Sequence, residues 1–138
     1  MAARDVFHQA VKTALIKEQW RITDDPFVLQ VGGIDMYVDL GAEKLLAAEK
    51  DNHHIAVEIK SFLGPSLVSD FHLALGQFLN YRTALAQQEP QRRLYLAVPL
   101  EPYSTFFALP FIRSVVSQHQ LALIVYDAAT QEVVEWID

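Results

Sequence analysis

Residues 38–62 read VDLGAEKLLAAEKDNHHIAVEIKSF, and the reading of this stretch decides the fold. Its last part, Ile55-Ala56-Val57-Glu58-Ile59-Lys60, is apolar except for one acid and one lysine. Side chains alternate faces along a strand, so Glu58 and Lys60 point the same way from a sheet. Burying charge on so apolar a strand is costly unless the charges serve a purpose. Lys44 to Lys50 reads as the partner strand, with Asp51-Asn52-His53 as the turn. A turn centred near Asn52 pairs Leu46 with Glu58 and Lys44 with Lys60. Asp39 then falls beyond the Lys60 end of the ladder. A bend or bulge around Gly41 is needed to carry its carboxylate back over Glu58.

Upstream, Arg4 to Trp20 reads as a helix, with Phe7, Val11, Ala14, Leu15 and Glu18 at helical spacing. Asp5 sits near its start, where an acid favours the helix dipole. Ile22 to Pro26 reads as a connector, because the residue before proline avoids the α region. Phe27–Val31 is a short strand broken by Gly32-Gly33, and Met36–Leu40 resumes an extended run. Downstream, Gly64-Pro65-Ser66 is a turn whose serine can cap the next helix. That helix, Leu67 to Gln88, is the longest in the chain, and Pro90 lies just after it. Leu94–Val98 is a strand, and Glu101–Gln118 is helical with an interruption near Pro110. Leu121–Tyr126 and Glu132–Ile137 are further strands. Helix, three strands, helix, strand, helix and two strands make a mixed α/β domain, a central sheet flanked by helices.

With 138 residues, 51% of them hydrophobic and 20% charged, the chain is expected to be one globular domain, residues 1–138, with a real core. The absence of cysteine excludes disulfides and thiolate metal sites and suits a cytoplasmic protein. No apolar run approaches the roughly 20 residues needed to cross a bilayer, and the first residues have no apolar signal core. A net charge of −6 argues against a protein that coats DNA through a basic surface. It leaves open a nuclease that meets DNA through a divalent cation, and a protein whose partner is another protein.

Metal-dependent phosphodiester hydrolysis needs carboxylates to hold the cation and a lysine to orient water or meet charge at phosphorus. Asp39 and Glu58 supply the carboxylates, the Ile59 carbonyl is a further oxygen ligand for Mg²⁺ or Mn²⁺, and Lys60 is the lysine. If both acids grip one ion, their oxygens come within roughly 4 Å, given metal–oxygen distances of about 2.1 Å. The plain alternative is an ordinary sheet carrying a Glu–Lys ion pair. Gln77 and Tyr81 are four residues apart on the long helix and share a face, where they can contact a phosphate or steady Lys60; otherwise they are a polar helix flank. His8 is either a metal ligand on the first helix or a hydrogen-bonded packing residue. Glu43 and Glu49 lie on strand faces that the sequence leaves open, and His53-His54 sits at the expected turn.

RDVFHQAVKTALIKEQWRIT, DDP, VDLGAEKLLAAEK, IAVEIKSF, SDFHLALGQFLNYR and LYLAVP follow one another from Arg4 to about Pro99. Together these segments resemble the XisH family, the excision controlling factors of the fdxN DNA element in heterocyst-forming cyanobacteria. The resemblance implies a restriction endonuclease-like fold of the PD-(D/E)XK superfamily, whose core is helix, three antiparallel strands, helix and strand. On it, Asp39 matches the first acid, Glu58 the second and Lys60 the lysine. Gln77 and Tyr81 resemble the Q-x-x-x-Y motif of the RecB-like branch, and His8 resembles that branch's first-helix histidine. Val38 stands where the superfamily motif often has proline. The resemblance also implies an XisI-like protein as partner and a role in controlling an excision that a separate recombinase performs.

Three readings follow. The chain is a Mg²⁺- or Mn²⁺-dependent DNA endonuclease, or a nuclease-like regulator acting through an XisI-like protein or DNA without cutting. The third is a homodimer joined through its aromatic segment, Tyr103, Phe106, Phe107 and Phe111.

Overall fold

A computed structural model describes residues 5–45 and 52–138. The chain runs α1 (His8–Lys17), β1 (Arg21–Asp24), β2 (Phe27–Val31), β3 (Ile34–Val38), β4 (Leu40–Leu45) and β5 (Asn52–Ile59). It continues as α2 (Leu67–Gln88), β6 (Arg93–Pro99), α3 (Leu100–Ser104), α4 (Pro110–Gln118), β7 (Leu123–Asp127) and β8 (Glu132–Ile137). Six strands form one mixed sheet in the order β1-β4-β5-β6-β7-β8. The pairs β5–β6 and β6–β7 are parallel, and the three others are antiparallel. Strands β2 and β3 form a separate two-stranded ribbon around Gly32-Gly33. No helix among the described residues is long and apolar enough to cross a membrane.

The period-two pattern of β5 sorts the two faces of the sheet. Ile55, Val57 and Ile59 join Val11 and Leu15 of α1 in one core. Ala56 joins Phe71, Ala74, Phe78 and Tyr81 of α2, together with Leu96 of β6, in the other. Strands β6 and β7 are buried on both faces, as parallel strands covered by helices must be. Phe78 is almost fully buried at the centre of the α2 layer. Truncating such a side chain to alanine costs about 3–5 kcal/mol.

Helix α2 starts where the sequence places it. Ser66 Oγ accepts from the Ser69 amide at 3.2 Å, and Asp70 lies in the first turn against the helix dipole. Its far end is tied to the ribbon. Gln88 Oε1 accepts from the Gln30 amide at 2.8 Å, and its Nε2 donates to the Val28 carbonyl at 3.1 Å.

Several expectations change. Helix α1 is shorter than Arg4–Trp20. The supposed connector at Ile22–Pro26 carries β1, an edge strand; Asp25-Pro26 ends it, as a proline can end but not continue a ladder. The run Met36–Leu40 divides between the ribbon and the main sheet at Asp39. The expected hairpin register is wrong. Leu40 pairs with Val57, Lys44 with His53 and Leu45 with Asn52, so Asn52 is a ladder residue and not the centre of a turn. His53 and His54 are strand residues, and the expected Leu46 partner of Glu58 and Glu49 lie outside the described residues.

The ladder extended by one step sets Asp39 opposite Glu58, with no bulge in β4 required. The irregularity sits instead in β1, between Ile22 and Asp24 and against Gly41. A Cβ on Gly41 would meet Asp24 Oδ2 at 2.8 Å and the Phe27 ring at 3.0 Å, so only glycine admits that approach.

Candidate active site

Asp39 occupies the joint between ribbon and sheet, and Glu58 the last turn of the pleat on the α2 face of β5. The Asp39 amide donates to Glu58 Oε1 at 3.3 Å, and Asp39 Oδ2 accepts from the Ile59 amide at 2.7 Å. Glu58 is only 5% exposed. Lys60 Nζ stands 3.5 Å from Glu58 Oε2. The three residues that alternation and spacing single out are thus brought together.

The electrostatics are those of a crowded pair of acids. Burial first, and then the negative charge of Asp39, push Glu58 up to about 8, with Lys60 pulling the other way. A side-chain hydrogen bond between the two carboxyl groups adds to the rise. Glu58 is therefore the acid that keeps its proton into the neutral range. Tyr81 of α2 is buried beside them. Burial, then Glu58 and Asp39, raise its hydroxyl to about 12, so it remains a donor. Gln77, one helical turn earlier, has a buried Oε1 without a hydrogen-bond partner among the described residues.

The backbone around Lys60 is pinned from several elements. Its amide donates to the Ala97 carbonyl of β6 at 3.1 Å, and its carbonyl accepts from the Tyr126 hydroxyl of β7 at 3.2 Å. The next amide, of Ser61, donates to Asp5 Oδ2 at 3.0 Å, while Asp5 Oδ1 accepts from the Phe7 amide at 2.9 Å. Asp5 and Tyr126 are positioning residues that sequence reasoning missed. Asp5 carried a signal as a helix-start acid, but its second role depends on a contact 56 residues away.

His8 does not join this group. Its Nε2 lies 2.8 Å from Asp25 Oδ1, Lys12 Nζ donates to Asp25 Oδ2 at 2.9 Å, and the buried His8 Nδ1 has no hydrogen-bond partner among the described residues. Glu43 is likewise engaged elsewhere, accepting from Arg21 Nε at 2.9 Å. In the aromatic segment Phe106 and Phe107 are core residues, and Phe111 alone stands out, 72% exposed.

Among the described residues no cluster of three or more His, Asp or Glu is arranged to hold a metal ion. Two carboxylates and a backbone carbonyl suit Mg²⁺ or Mn²⁺, since Mg²⁺ keeps several waters and uses one or two carboxylates. They do not make a closed site of the zinc type. The donor set is all oxygen, and a cation there would offset the charge of Asp39, which after burial is the next cause of the raised Glu58 carboxyl.

A family model described as XisH protein matches residues 1–134. The chain belongs to the XisH family. This XisH chain is similar to a crystal structure of an XisH family protein from Nostoc punctiforme PCC 73102, with 47% identity and a TM-score of 0.89, over 97% of this chain and 100% of that one. It is also similar to a crystal structure of an fdxN element excision controlling factor protein from Anabaena variabilis. There the identity is 48% and the TM-score 0.89, over 98% of this chain and 100% of that one. No curated protein matches the chain.

Proposed function

We propose that this XisH chain is a restriction endonuclease-like, divalent-cation-dependent DNA endonuclease acting in the control of fdxN element excision. The observation that carries this reading is the Asp39–Glu58 pair, with Glu58 buried at the end of β5 and Lys60 Nζ 3.5 Å from it. Asp39, Glu58 and the Ile59 carbonyl would hold Mg²⁺ or Mn²⁺, and the ion would supply Lewis-acid stabilisation at phosphate and an acidified water. Lys60 carries the positive charge that orients the attacking water and meets negative charge growing on phosphorus. Tyr81, protonated at neutral pH, donates a hydrogen bond toward the carboxylates or a phosphate oxygen. Gln77 Oε1 offers the acceptor that is left over. His8, whose Nε2 is taken by Asp25, has no step in this scheme and acts as a packing residue.

The test is cleavage of supercoiled and branched DNA with Mg²⁺ or Mn²⁺, with Glu58→Gln and Lys60→Ala as controls. Metal-dependent cleavage lost in both variants supports the assignment, and cleavage unchanged in both sinks it.

A second reading is favoured by the net charge of −6 and by a site with two carboxylates among the described residues. In it the same fold regulates excision without cutting, through an XisI-like protein or through DNA. Co-purification with an XisI-like protein supports it, and failure of the two to associate at micromolar concentration counts against it. The third reading, a homodimer joined through Tyr103, Phe106, Phe107 and Phe111, keeps Phe111 as its exposed ring, since Phe106 and Phe107 are buried, and is tested by sedimentation.

A further inference from the structure

Immediately after Lys60 the chain makes an unusual turn. Phe62 has φ of 55°, a left-handed conformation that bulky side chains rarely adopt. The ring is nonetheless buried, packed edge-on against Phe107 with centroids 5.3 Å apart, so the aromatic core holds the turn in place. This turn forms one wall of a notch of about 490 Å³ at the ends of β5, β6 and β7. Ser61, Leu63, Leu100 and Pro102 line it, with Glu101 and Thr105 from α3. Leu63 is 66% exposed and Leu100 37%, so the mouth is apolar.

The lining excludes some occupants. Among the described residues it has no lysine or arginine, and it contains Glu101 and Asp127, so it does not favour a phosphate. One oxygen of the Asp127 carboxylate, Oδ1, is already used, accepting from the Ala129 and Thr130 amides at 2.9 and 3.1 Å. The Glu101 carboxylate has no hydrogen-bond or ion-pair partner among the described residues. Apolar walls with a free carboxylate acceptor fit a flat ring that carries an amino group. The notch opens from the same segment that carries Lys60.

We propose that this notch receives an unpaired nucleobase bearing an exocyclic amine, cytosine or adenine, next to the phosphate attacked at the Glu58–Lys60 site. The base face lies on the apolar walls, and Glu101 accepts from its amino group, as acidic side chains accept from cytosine N4. The position of the phosphate rests on the nuclease reading; the pocket itself does not. The inference makes single-stranded or branched DNA the substrate class, since a paired base cannot enter.

The experiment measures binding without cleavage. Fluorescence anisotropy is recorded with EDTA present, using labelled oligo-dC, oligo-dA, oligo-dT and a duplex of equal length. Oligo-dC and oligo-dA are expected to bind roughly tenfold more tightly than oligo-dT or the duplex. Leu63→Glu, an exposed change that leaves the fold intact, weakens single-strand binding by about tenfold. Glu101→Ala abolishes the preference over oligo-dT. Equal affinity for oligo-dC, oligo-dT and duplex, or wild-type affinity in Leu63→Glu, overturns the inference. Absence of any oligonucleotide binding also overturns it, while metal-dependent cleavage of duplex DNA would leave the nuclease reading standing.

Discussion

Two buried polar clusters flank the sheet, and they are built from nearly the same parts. On the α2 face, Glu58 meets Asp39 on one side and Lys60 on the other. On the α1 side, Asp25 alone has both Lys12 and His8. The consequences are opposite. Burial and Asp39 push Glu58 up to about 8. Burial would raise Asp25 as well, but the hydrogen bond from Lys12 and the charge of His8 outweigh it and hold its pKa below 3.8. The Asp25 carboxylate, held by Lys12 and His8, ties α1 to the start of β2. Under the proposed function the pair of acids takes a cation, and the difference separates a structural clamp from a reactive centre.

The comparison breaks most readily at the level of chemistry. Glu58→Gln and Lys60→Ala are expected to lower metal-dependent cleavage by about a hundredfold or more, whereas Asp25→Asn retains cleavage per folded molecule. Initial rates on supercoiled DNA check this, and a comparable loss from Asp25→Asn would erase the distinction.

Stability should answer in the other direction. Asp25→Asn leaves Lys12 and buried His8 without their counter-charge and is expected to cost about 2 kcal/mol in urea unfolding. Glu58→Gln, without metal, removes a repelled acid and costs less.

The pH dependence sharpens the same contrast. Unfolded, Glu58 has the ordinary value of 4.5, and folded it titrates at about 8. Between these values the folded chain holds a proton that the unfolded chain has released, so metal-free stability falls as pH rises through that window. Glu58→Gln should flatten the fall, by on the order of 1–2 kcal/mol at its upper end. Mn²⁺ should restore the wild type there and do nothing for Glu58→Gln. Asp25 behaves inversely: its contribution is complete above 3.8 and is lost as pH falls through its lowered folded value. Thermal melts across pH, with EDTA or Mn²⁺, read all of these.

The smallest effect is expected from Tyr81→Phe. It removes one hydroxyl beside the acids, costs about 1 kcal/mol or less in stability, and slows cleavage by roughly tenfold at most. A larger loss of rate would make Tyr81 a participant and not a support.

How much of this was legible in advance depends on the range of the interaction concerned. Alternation along residues 55–60 put Glu58 and Lys60 on one face, and the i, i+4 spacing put Gln77 and Tyr81 on another that meets it; both are local periodicities. Ser66 as a cap and Pro90 as a stop were local too. The hairpin register was not, because residues 46–51 offer no tight-turn signal such as Asn-Gly, and without one the ladder can slide. The slide mattered: it carried Asp39 away from Glu58 on paper. His8 failed for a related reason, since Asp25, its partner, lies 17 residues on in a segment read as a connector.

The amino-acid sequence by itself determined the mixed α/β class, the long helix after the Glu-x-Lys strand, and the family to which the chain belongs. Periodicity, caps and ordered motifs are properties of neighbouring residues. Only the tertiary structure decided that Asp39 faces Glu58 and that β1 closes the sheet edge. It alone decided that Asp5 and Tyr126 fix the backbone at Lys60, and that Phe62 turns the chain into an apolar notch. Each of these depends on strand pairing or packing between distant segments. There the energy comes from burial and long-range hydrogen bonds, and no local pattern encodes it.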